Sequence, residues 1–193
     1  MKDLLLHPTT TAHWHALISE AQQAADQHLN EDMESYLVFL LTRYMSHPEL
    51  AAKVLALEFL EAMHETGSLR QTKLRDVGDQ CLLFSGLFPL RADRLRVRIS
   101  YFVNLGRGAY SAVSAESKTG TAELYEQLAD CFVGLMETLH TVRELGNPEL
   151  GLTPLHALDL WHDTGSPRAR RQLRDATSAT PLIIDPGPHK YHA

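Results

Sequence analysis

From Asn30 to Ala176, apolar residues recur every three or four positions, and capping residues, prolines and glycines fall between the runs. That period is the mark of helices that each bury one face. A first helix is predicted over Ala12 to His28. A second starts at Asn30, whose side chain can cap the free amides, while Glu31, Asp32 and Glu34 complement the positive end of its dipole. Its Met33, Tyr36, Leu37, Leu40, Leu41 and Tyr44 keep the spacing. The run from Tyr36 to Leu41 is apolar all round, which places this helix near the centre.

Ser46-His47-Pro48-Glu49 reads as a capping box opening a third helix, Pro48 to Thr66, with Gly67 as its stop. Ser68-Leu69-Arg70-Gln71 reads as a second box, opening a fourth helix over Leu69 to Leu87. There Leu74, Val77, Gly78, Cys81, Phe84 and Phe88 form the inward stripe, with Thr72, Asp76, Asp79 and Gln80 on the other face. From Leu82 to Phe88 almost no polar face remains, so another helix or a second subunit must cover that end. A fifth helix, Ala92 to Ala115, carries Gly106 and Gly108, each costing about 1 kcal/mol relative to alanine unless another element approaches closely. A sixth covers Thr121 to Leu145. Thr153-Pro154 and Ser166-Pro167 each set an N-cap before a proline at the first helical position, opening helices to Asp163 and Thr177.

The expected fold is therefore all-α: one domain over 1–193, a bundle of seven or eight mostly antiparallel helices, with 1–11 and 178–193 as extended or loosely docked tails. The triplet Leu182-Ile183-Ile184 is expected to lie on the bundle surface. At 193 residues such a domain buries enough surface to need neither disulfides nor metal. Cys81 and Cys131 fall on apolar stripes of helices, which points to reduced, buried thiols and a cytoplasmic setting. The N-terminus has too short an apolar core for a signal peptide, and no apolar run approaches the roughly 20 residues of a membrane span.

A net charge of -6 argues against nucleic acid as a partner. The charge is uneven, however. From Arg70 to Arg107 eight bases meet three acids, and this excess directs attention to one cluster. Arg75, Asp76 and Asp79 lie on the fourth helix; Arg94, Arg98, Tyr101, Asn104, Arg107 and Tyr110 lie on the fifth. Arginine–aspartate pairs between the two helices would fix their register. Alternatively Arg75, Asp76, Asp79, Arg98, Tyr101 and Arg107 would line a pocket for a small carboxylate or phosphate.

A second candidate is the pair of Glu-x-x-His motifs, Glu61/His64 and Glu137/His140. With acids drawn from Glu34, Asp76 or Asp79, they would make an iron or manganese site as in ferritin-like bundles. Two such pairs are near chance for thirteen glutamates and eleven histidines, and Glu137 shares a helical face with Glu123, Glu126, Asp130 and Glu144, as a solvated residue would. No phosphate loop, dinucleotide fingerprint or nucleophile elbow is present. The basic stretch Arg168 to Arg174 reads as a solvated face.

The stretches ESYLVFLL (34–41), LRDVGDQCLLFSGLFP (74–89) and SYFVNLGRGAYS (100–111) together resemble a group of uncharacterised bacterial all-helical proteins, over roughly Asn30 to Leu145. That resemblance implies an all-helical fold and neither an activity nor a catalytic residue. The helix with Gly106 and Gly108 resembles haem-oxygenase-like bundles, which would make haem the alternative cofactor. The expectation is a non-enzymatic protein without cofactor, acting through homodimer or partner contacts or holding a small anion at the central cluster. The alternative is an iron-, manganese- or haem-dependent enzyme using the two Glu-x-x-His motifs.

Overall fold

A computed structural model describes residues 10–46, 55–89, 97–147 and 151–177, with backbone alone at 46, 55–57 and 177. Those residues form nine helices and no strand: α1 (Thr10–Ala25), α2 (Glu31–Ser46), α3 (Leu55–His64), α4 (Gly67–Leu87), α5 (Ile99–Ala115), α6 (Thr119–Asp130), α7 (Phe132–Gly146), α8 (Pro154–Thr164) and α9 (Pro167–Thr177). Among them no helix is long and apolar enough to cross a membrane. The chain falls into two compact units, 1–151 and 152–193.

In the first unit α4 is the central element, packing against α3, α5 and α7; α1 lies against α2 and α7, and α5 against α6. Every residue of α4 from Val77 to Gly86 is buried, including Asp79 and Gln80 on the polar face. Of the apolar end from Leu82 to Phe88, residues 82–86 are buried under the chain's own helices, Leu87 and Phe88 are half-buried with Phe88 against Tyr44 and Phe84, and Phe84 stacks on Phe102 of α5 at 5.4 Å. A second subunit is not needed to cover it. Two glycines of α4 let its neighbours close in. A Cβ on Gly78 would stand 2.4 Å from the Tyr110 ring of α5, and one on Gly86 2.6 Å from Leu139 of α7. The expectation for α2 changes: Phe39 is 52% exposed, so one side of its apolar run faces outward.

Several caps fall where the pattern puts them. Asn30 Oδ1 accepts from the Met33 amide at 2.9 Å. Thr153 accepts from His156 at 3.3 Å, and Ser166 from Ala169 at 3.0 Å. In the second unit Gly165 (φ 72°) makes the left-handed turn between α8 and α9, and Ala157, Leu160, Ala169 and Leu173 are buried. The box at Ser68 does not form. Gly67 (φ 63°) reverses the chain, Thr66 is the N-cap without a side-chain bond, and Ser68 lies inside α4. The box at Ser46 lies outside the described residues, as do the tail beyond Thr177 and its Leu182–Ile184 triplet. Thr10 and Thr11, expected in the N-terminal tail, belong to α1, and α5 begins at Ile99 because Arg98 is extended (φ -68°, ψ 146°).

The largest correction concerns the sixth predicted helix. It breaks at Cys131 (φ -88°, ψ 11°) into α6 and α7. A straight rod over the predicted 25 residues would run roughly 37 Å in one direction. The bend lets α6 lie on α5 while α7 turns to pack against α1 and α4. It also resets the helical phase. Glu137, placed on the solvated face by an unbroken periodicity, is fully buried, and Cys131, placed on the apolar stripe, is exposed.

Candidate functional site

The buried chemistry of the first unit converges on Asp79. Its Oδ1 accepts from the hydroxyls of Tyr36 at 2.5 Å and Tyr110 at 3.0 Å, and its Oδ2 from Arg43 Nη1 at 3.1 Å. The second fork of Arg43 donates to Asp76 Oδ1 at 2.9 Å, which also accepts from Arg75 at 3.1 Å. One arginine of α2 thus grips two aspartates a helical turn apart on α4, in the two-handed geometry for which guanidinium is suited. Tyr125 of α6 completes the group. Its ring stands 6.0 Å from Tyr36 and 5.7 Å from Tyr110, while Tyr36 and Tyr110 meet edge to face at 6.1 Å. Four helices meet there.

Burial governs how these groups titrate. Desolvation pushes the Asp79 carboxyl up to about 6, against the two tyrosine hydrogen bonds and the Arg43 and Arg75 charges, which pull it down. Desolvation, then the Asp79 charge, raises Tyr36 and Tyr110, so both phenols stay protonated and remain donors. Because the folded carboxyl binds its proton more tightly than the unfolded one, its share of stability is complete below pH 4 and lost as pH rises through 6. The shift corresponds to about 3 kcal/mol. Urea unfolding of the wild type and Asp79→Asn should show it, the wild type losing ground to the variant between pH 4 and pH 7. A difference independent of pH, or one of opposite slope, would contradict the assignment.

Of the six expected cluster residues, Arg75, Asp76 and Asp79 come together and Arg98, Tyr101 and Arg107 do not join them. Arg98 is the exposed N-cap of α5, twelve residues or roughly 18 Å of helix from Tyr110. Tyr101 is 40% exposed, edge-on to Phe102. Arg107 donates to the Ala129 carbonyl of α6 at 3.0 Å. Arg94 lies outside the described residues. The cation that pairs with Asp79 comes instead from α2. Its signal was the seven-residue spacing of Tyr36 and Arg43, which sets both on one face two turns apart.

The two Glu-x-x-His motifs do not share surroundings. Glu61 and His64 are exposed on α3, while Glu137 and His140 are buried on α7. Glu137 accepts from Gln27 at 2.6 Å, and Glu34 is engaged by His15 and Gln22 of α1. His140 Nε2 meets the Ser85 carbonyl at 2.7 Å. The helical partner of that carbonyl would be the amide of residue 89, which is proline and has none. The imidazole takes its place, and because a carbonyl only accepts, Nε2 carries the proton. Among the described residues no three His, Cys, Asp or Glu side chains come together as a metal-binding group.

Comparison with protein families, with curated proteins and with solved structures finds no match to this chain. Its chemistry is read from its own residues alone. Burial pushes the Cys81 thiol far up, whereas Cys131 faces solvent. Iodoacetamide should therefore modify one thiol in the native protein, at Cys131, and reach Cys81 only after unfolding. Equal rates at the two positions would contradict this packing.

Proposed function

We propose that this is a non-enzymatic helical protein that acts through contacts of its surface, with a second copy or another protein, and that the Asp79 network holds its helices in register. The observation that carries this reading is the closure of the network on itself. Two arginines meet two aspartates, and the hydroxyls of Tyr36 and Tyr110 are spent on Asp79. Among the described residues the two cations there are matched by two aspartates, and the tyrosine donors are buried. Exposed apolar side chains provide contact surface: Leu60 and Met63 share one face of α3, and Phe39 and Met45 stand out from α2. A reducing, cytoplasmic setting suits the two free thiols.

Thermal melts with phosphate or citrate against sodium chloride of matched ionic strength test the reading. The expected result is no saturable, anion-specific rise in Tm. A saturable rise that disappears in Arg107→Ala would replace it with an anion-binding function near α5. Light scattering after gel filtration decides the partner: a dimer mass at micromolar concentration supports self-association, and a monomer mass directs the contact to another protein.

A further inference from the structure

We draw no further inference here: the strongest candidate, the exposed apolar patch formed by Leu60 and Met63 on α3 and Leu69 in the first turn of α4, carries no proposal, because nothing in the structure shows what covers it.

Discussion

Asp79→Ala is expected to lower the stability of the protein by about 3 kcal/mol at pH 7, the low end of the range for breaking a buried charged pair. The change strands the hydroxyls of Tyr36, 8% exposed, and Tyr110, fully buried, and deprives Arg43 of its deeper partner. Each stranded donor costs roughly 1–3 kcal/mol. Two effects hold the total down. Arg43 keeps Asp76 and 21% of its side-chain exposure, and removing Asp79 also removes the penalty of ionising a buried carboxyl. The corresponding fall in Tm is roughly 6–12 °C for a chain of this size. Asp79→Asn retains an acceptor for the tyrosines and should lose less. A thermal midpoint unchanged within a degree in Asp79→Ala would show that the network does not hold the helices.

Gly106→Ala and Gly108→Ala should move stability in opposite directions, although the two glycines stand one residue apart in the same helix. A Cβ on Gly106 would lie 2.6 Å from the Phe132 ring and 2.8 Å from Cys81 Cβ. The second atom is attached directly to the α4 backbone and cannot swing aside, so α5 must move off α4. Such overpacking costs about 1–3 kcal/mol. A Cβ on Gly108 meets nothing within 4 Å, so alanine there removes only the helix penalty of glycine and should stabilise by up to about 1 kcal/mol. Urea unfolding of both variants measures the contrast. Equal effects would mean that α4 and α5 are not in the close contact described.

These two glycines also show how far sequence reading reaches. Their helix was legible, and so was the cost of glycine within it, because both follow from local backbone preference. Which of them is required was not legible, since that depends on Phe132 and Cys81 arriving from α7 and α4. The caps at Asn30, Thr153 and Ser166 were readable for the same local reason. The break at Cys131 was not. Periodicity runs through it, and only the competing demands of α5 on one side and of α1 and α4 on the other make the chain bend. One missed bend then displaced two further expectations, the burial of Cys131 and the exposure of Glu137.

At the candidate site the division is similar. The acids of α4 and the hydroxyl of Tyr110 stood out as a polar concentration before a greasy half-helix. Arg43 did not, because it sits at the end of a helix whose apolar residues dominate the pattern, and because its partner lies 36 residues away. Arg98 and Arg107 attracted attention by proximity in sequence, yet helix geometry carries Arg98 along the axis and turns Arg107 toward α6.

By itself, then, the order of side chains determined that this protein is helical, where many of its rods start and turn, and that charge gathers around Asp79. Those properties arise within a few residues, through backbone bonding and periodicity. Tertiary structure alone decided which arginine meets Asp79 and that His140 answers the carbonyl left open by Pro89. Each joins groups far apart along the chain, and no local preference can choose among such partners until packing brings them within bonding distance.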